Sequence, residues 1–344
     1  MYDSTKVSVN GAEKQSPASI DIKDGISYAP LRFICENIGA TVGYDAAKSA
    51  VSISSAEPKD ELGFSENLNA QMPTDQNYMF SPLSIKMAMA MAANGAKGTT
   101  QKEILDATGI ADLNKYNEST SQLIKKYKDN DSIKLNIANS IWLNRDSYND
   151  VDFSSTYRTT IQNYFDGEIQ KVDAKSAVNT INNWVSQKTN QKITKIINDN
   201  DFSAALINAT YFKGKWESPF EKSDTKKDTF TDRKNETSQI DFMNQTDYFD
   251  YCDSDGVQMV RLPYKDSKIS MYIALSDDRT INFEKNIAEM TYTRVALHIP
   301  KFQTEYSTRL NDILGNLGIK TAFDKKNADF KPMDTVLWQT QLIQ

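Results

Sequence analysis

Few residues in this 344-residue chain have both the type and the company that catalysis needs. There is one histidine, His298, and there are two cysteines, Cys35 and Cys252. A histidine acts as a general base only beside a nucleophile or a carboxylate that orients it. His298 lies in the alternating run Val295-Ala-Leu-His-Ile-Pro, so its side chain is expected to point opposite Leu297 and Ile299 and to be a satisfied surface group. Two cysteines make no disulfide framework; each falls in a predicted structured segment and reads as a buried free thiol. No Gly-x-Ser-x-Gly elbow, zinc-helix motif or phosphate loop occurs. Gly95-Ala-Lys-Gly-Thr-Thr resembles a phosphate loop only faintly, because the Gly-x-x-x-x-Gly-Lys-Thr spacing is missing. Acidic residues number 46, but abundance alone does not make an acid–base pair. The expectation is no catalytic residue, no metal ligand set and no cofactor, hence not an enzyme. Asn117, Asn208, Asn235 and Asn244 begin N-x-Ser/Thr triplets, which imply nothing without a eukaryotic secretory context.

Composition excludes other classes. A net charge of −6 argues against nucleic acid as the main partner, since phosphate binding needs a basic stripe. No apolar run reaches 18 residues, so no membrane-spanning helix is expected. Met1-Tyr-Asp-Ser-Thr-Lys opens polar and carries no apolar signal core, which fits either a cytoplasmic protein or a sequence that begins after its secretion signal. The apolar and charged fractions, 39% and 25%, are those of an ordinary globular protein.

The elements are arranged around residues 77–105. Ser81 is a natural N-cap with Pro82 at the first helical position, and Leu83 to Ala93 is apolar on nearly every side, which predicts a helix buried inside a large domain. Gly95 offers a left-handed stop, and Thr100 with Glu103 reads as the capping box of a second helix that Gly109 ends. Lys115 to Lys128 and Ser176 to Ile193 have helical spacing, as do Leu310, Ile313, Leu314 and Leu317 before Gly318. Strands are predicted through 133–143, 257–264, 269–275 and 295–302, with a hairpin across residues 265–267. Ala204 to Phe212 reads as a central strand buried on both faces. Helices come first and strands later, which gives an α+β domain with large antiparallel or mixed sheets. Lys125, Lys126 and Lys128 form a solvated helix face. Ahead of this domain, alternating strands near Val7, Ile20, Val42 and Val51 and a short helix from Pro30 predict a separate small α/β unit over 1–55, followed by a polar linker over 56–61.

Three blocks carry a family resemblance. Phe80-Ser-Pro-Leu-Ser-Ile85 with Gly95-Ala-Lys-Gly-Thr-Thr100 is similar to the central helix of the serpins. Leu206-Ile-Asn-Ala-Thr-Tyr-Phe-Lys-Gly-Lys-Trp-Glu-Ser-Pro-Phe220 resembles the family's strand-and-turn signature, and Leu297-His-Ile-Pro-Lys-Phe302 precedes Leu310–Gly318 and Ala328-Asp-Phe330 in the serpin order. The resemblance covers 62–344. It implies a serpin-type domain that inhibits a serine or cysteine protease when an exposed loop is cleaved and inserts into the main sheet. It also implies shutter positions at Ser81, Ser84 and Asn208 and a breach tryptophan at Trp216. On the residues alone, capping accounts for Ser81, and all four fit as packed core groups. Val336 to Gln344 resembles the strand before the reactive loop. The expectation is therefore a sequence truncated at its C-terminus inside that strand, with no reactive-centre residue of its own and with the protease as partner of the full-length parent. Lacking the family's last strands, it is expected to be less stable than a complete serpin. Asp24 to Val42 resembles the stalk-like copper amine oxidase N-terminal domain of secreted, surface-associated bacterial proteins, which implies an extracellular, cell-surface location. That segment holds no histidine and no set of ligands for copper. The alternative reading is a non-inhibitory, serpin-derived surface or binding protein.

Overall fold

The computed structural model describes residues 6–9, 12–17, 21–23, 26–28, 30, 33, 40–45, 50–55 and 59–333, the last stretch without 74, 129–131, 147–151, 203, 266–267, 277–280 and 325. The polypeptide divides into two compact units, Met1–Ala70 and Gln71–Gln344. The first contains three antiparallel hairpins: β1 (Lys6–Val9) with β2 (Ala12–Gln15), β3 (Asp21–Lys23) with β4 (Ile26–Tyr28), and β5 (Ala40–Asp45) with β6 (Ala50–Ser55). In the third, Val42 is the register partner of Ile53 and Tyr44 that of Val51, the alternating apolar residues of the sequence. Helix α1 (Lys59–Ala70) closes this unit. Of the linker expected over 56–61, Lys59 and Asp60 already belong to α1. The helix expected from Pro30 lies outside the described residues apart from Pro30 and Phe33, and Cys35 lies outside them as well.

The second unit begins with α2 (Pro82–Asn94), whose residues from Ile85 to Ala93 are all buried. Around it lie α3 (Gly98–Thr108), α4 (Leu113–Lys128) and α5 (Ser155–Phe165). A three-stranded sheet has the order β8 (Glu168–Val172), β7 (Ile133–Asn144), β9 (Ala204–Gly214). β7 and β8 are parallel and joined through α5, as a parallel pair requires a crossover; β7 and β9 are antiparallel. α6 (Ala174–Lys188) packs on this sheet and buries Ile181, Trp184 and Val185 against Trp142, Ala205 and Ile207. A second sheet has five strands, β10 (Lys226–Thr231), β11 (Thr237–Ser254), β12 (Val257–Pro263), β13 (Ser270–Ser276) and β14 (Thr291–Pro300), with β14 on β11. Its two faces bury different clusters: Phe249, Val260 and Leu262 in one, Cys252, Val257 and Met259 in the other. α7 (Phe283–Ala288) and α8 (Asn311–Asn316) are short.

Several local expectations change. Gly95 is right-handed, with φ −98° and ψ −1°, so its stop is not conformational. A Cβ there would lie 2.7 Å from Met333 Cε and 3.0 Å from the Tyr157 ring; glycine is required by the neighbours, not by the dihedral. The second helix begins at Gly98 with Lys97 as N-cap, and Thr100 and Glu103 do not cap it. Their side chains instead accept hydrogen bonds from residues 320–329. α6 stops at Lys188, five residues short of the expected end, because Asn190 and Gln191 turn to positive φ and the Thr189 hydroxyl donates back to Val185. β9 pairs only with β7 among the described residues, so it is an edge strand there, buried in its first half and half-exposed beyond it. The strand expected from Val336 lies outside the described residues.

Candidate functional site

The helix start places the first polar groups. Ser81 is extended, with φ −114°, and its hydroxyl accepts the Ser84 N–H at 3.2 Å, while Pro82 fills a position whose N–H would have no partner. One turn into the helix, Ser84 points at β9 and meets the Thr210 hydroxyl at 2.8 Å. Thr210 donates to Asn208 Oδ1 at 3.0 Å, which commits its proton, so Ser84 is the donor of the first contact. Asn208 Nδ2 donates to Asn139 Oδ1 at 2.7 Å and lies 3.8 Å from Met87 Sδ on the helix below. Asn139 Nδ2 donates to the Phe165 carbonyl at 2.7 Å. The donors thus run one way, from Ser84 through Thr210, Asn208 and Asn139 to Phe165.

Each link has a local cause. Asn139 and Asn208 face each other in the β7–β9 register. Phe165 is the last residue of α5, and the left-handed Asp166 (φ 48°) turns the backbone away, leaving a terminal carbonyl that the helix cannot pair. Asn139 supplies its donor from a side chain that is 1% exposed. Gly167 is needed at this turn, since a Cβ there would stand 2.5 Å from Ile161 Cγ2. Ser81, Ser84 and Asn208 are therefore brought together, tying α2 to the sheet, and the relay adds Thr210 and Asn139. Sequence reading passed over those two, although Asn139 and Ser140 interrupt an apolar strand where buried polar residues are uncommon without partners.

Trp216 lies elsewhere, just past the end of β9. Its ring stacks on Tyr264 with centroids 4.5 Å apart and planes 12° from parallel, and Tyr264 meets Phe212 edge-on at 4.9 Å. Trp216 and Tyr264 also form an isolated antiparallel bridge, flanked by the Glu217 N–H to the Pro263 carbonyl and the Lys265 N–H to the Lys215 carbonyl. Gly214 is needed here, because a Cβ would stand 2.4 Å from the Tyr264 ring. Burial pushes the Tyr264 hydroxyl above its ordinary pKa. This aromatic stack joins the end of β9 to the β12–β13 hairpin, so the two sheets meet at Trp216.

His298 is half-exposed, and its ring lies flat on Phe242 at 4.1 Å. Nδ1 is 2.6 Å from Asn244 Oδ1 on β11 and Nε2 is 3.4 Å from Asp228 on β10. Asn244 Nδ2 donates to the Asp224 carbonyl, which fixes the amide and makes Nδ1 the donor to its oxygen. Cys252 is buried and free. Among the described residues no group of three or more His, Cys, Asp or Glu side chains is placed to hold a metal, and no helix is long and apolar enough to cross a membrane. Lys125 and Lys126 are exposed on α4, and Lys128 is paired with Asp166 at 2.6 Å.

Residues 62–342 match the family model for Serpin (serine protease inhibitor), and residues 1–53 match that for the copper amine oxidase N-terminal domain. A serpin-like protein of Methanosarcina acetivorans is 31% identical over 297 residues, spanning 79% of this chain and 68% of that one. Neuroserpin of Gallus gallus is 33% identical over 290 residues, 75% of this chain and 69% of its own. Among solved structures, the thermophilic serpin tengpin in its native state is 31% identical, with a TM-score of 0.73 over 80% of this chain and 74% of that one. The same protein in its latent state gives the same identity and TM-score over 80% and 78%.

Proposed function

This protein belongs to the serpin family, with the family's α+β fold of helices and large sheets, and on that premise we propose that it inhibits a serine or cysteine protease by a conformational route. A protease cleaves an exposed loop, and the loop enters the main sheet beside β9 as an added strand, a form of strand addition that releases strain stored in the native fold. The relay from Ser84 to Phe165 is the observation that carries this reading. It crosses from the buried helix to β9 and on to β7, so that β9 is held by side-chain bonds that can be exchanged rather than by apolar packing alone. In this reading Ser81, Ser84 and Asn208, with Thr210 and Asn139, act as the shutter, and Trp216 marks the breach where insertion starts. Tengpin's native and latent states support assigning two states to this protein also.

The same proposal takes 1–55 as a stalk-like spacer, 56–61 as the connection and 62 onward as the inhibitory domain, placed extracellularly at a bacterial surface. The match of 1–53 to the copper amine oxidase N-terminal domain supports it. The test uses the protein as its gene encodes it, incubated with a panel of serine and cysteine proteases. A complex that survives boiling in denaturant supports inhibition. Loop cleavage by every protease with no such complex would establish a non-inhibitory binding protein instead.

A further inference from the structure

Among the described residues of 319–333 the regular structure is one short 3-10 turn, Thr321–Phe323, so the backbone groups must be satisfied outside any helix or strand ladder. Some pair within short turns of the segment itself, the Pro332 and Met333 carbonyls accept from the Ser154 hydroxyl and N–H ahead of α5, and side chains of α3 take others at two points. At the first, the Glu103 carboxylate accepts the Lys320 N–H at 2.8 Å, the Thr321 N–H at 2.6 Å and the Thr321 hydroxyl at 2.7 Å. At the second, the Thr100 hydroxyl accepts the Asp329 N–H at 2.9 Å, and the Lys97 N–H donates to the Asp329 carbonyl at 2.9 Å. Between and beyond them Ala322, Phe330 and Met333 are buried, and the Met333 N–H reaches the Gly95 carbonyl at 3.2 Å. A carboxylate taking three donors is a strong, localised fastening, and the Thr100 hydroxyl, in the first turn of a helix, is spent on the backbone of this distant segment.

We propose that Thr100 and Glu103 form a two-point latch that keeps residues 319–333 docked on α3, and that opening this latch is part of the barrier between the native state and its relaxed alternative. The barrier part rests on the two-state reading above; the docking part does not.

Amide hydrogen exchange on the full-length protein separates them. In Glu103→Gln, which loses the charge and one acceptor, exchange at Lys320 and Thr321 should rise roughly ten- to a hundredfold, with the β7–β9 amides unchanged. Thr100→Val should do the same at Asp329, and Thr100→Ser, which restores the hydroxyl, should behave as the parent. A rise spread evenly over the domain, or none, overturns the latch, as does a Thr100→Ser that exchanges like Thr100→Val. Conversion on warming, followed by native gel, is the second arm. Faster conversion in Glu103→Gln supports the barrier role, and an unchanged rate overturns it. Local exchange that rises while no variant converts at all supports the docking and counts against the two-state reading.

Discussion

Replacing Asn139 by alanine tests the relay at its most buried member. The change removes the acceptor of Asn208 Nδ2 and the donor to the Phe165 carbonyl, both at 2.7 Å. Leaving a buried polar group without a partner costs about 1–3 kcal/mol. The Phe165 carbonyl is fully enclosed, whereas Asn208 is half-buried and can recover part of its loss to water, so the sum should fall at about 2–4 kcal/mol. Urea unfolding followed by tryptophan fluorescence reads this directly, with an unchanged denaturant slope confirming that native stability moved. Asn139→Asp sharpens the test. At neutral pH its carboxylate still accepts from Asn208 but faces the Phe165 carbonyl with no proton, and the loss should be at least that of Asn139→Ala. Protonated, it donates to that carbonyl and regains both bonds. The introduced carboxyl therefore has a folded pKa above the ordinary carboxylate value of about 3.9, so its deficit is small below that pH and grows as pH rises through the shifted value. The relay is absent in solution if Asn139→Ala costs under about 0.5 kcal/mol, well below the cost of one orphaned group, or if the Asn139→Asp deficit does not shrink in acid relative to the parent.

Gly95→Ala should destabilise the protein by about 1–3 kcal/mol, since its Cβ would press on Met333 and Tyr157 within a packed core; a lowered thermal midpoint checks it. Ser84→Ala should cost less than Thr210→Val, because Ser84 loses one contact whereas Thr210 both receives from Ser84 and donates to Asn208; urea midpoints in the reverse order would break the donor direction assigned here. Glu103 combines opposing influences. Burial pushes its carboxyl up, but hydrogen bonds from the Thr321 N–H and hydroxyl and the Lys320 N–H, with the Lys320 charge, bring it below the ordinary range. A lowered folded pKa gives stability that is present above the unfolded pKa and lost as pH falls through the folded one. Glu103→Gln should therefore flatten the acid limb of a stability–pH profile, and an unchanged limb would contradict the assignment.

The parts of this fold that local chemistry dictates were legible in the residues. Ser81-Pro82 before an apolar run supplies the cap, the first helical residue and the buried faces of a core helix, and the alternation of Val42, Tyr44, Val51 and Ile53 is that of a hairpin. The site was half legible. Ser84 and Asn208 stood out through family resemblance, but Asn139 owes its place to a helix C-terminus that only folding brings near it. Thr100 and Glu103 show the limit from the other side. Their spacing fits a capping box, and nothing within ten residues reveals that a segment more than two hundred positions later uses both side chains. Gly95 misled for the same reason: a glycine after a helix usually serves its own dihedral, and here it serves Met333.

That long reach has a consequence in time. The bonds from Glu103 and Thr100 close loops of 217 to 229 residues. A ribosome adding about 5–20 residues each second would need roughly 10–45 s between making α3 and making the segment that fastens to it. Through that interval the methionine- and alanine-rich α2 is complete in sequence but has no cover from Met333 or, for part of it, from the Tyr157 ring. The nascent polypeptide therefore carries this apolar helix incompletely covered throughout that interval, and that helix is where a holdase chaperone would be found bound.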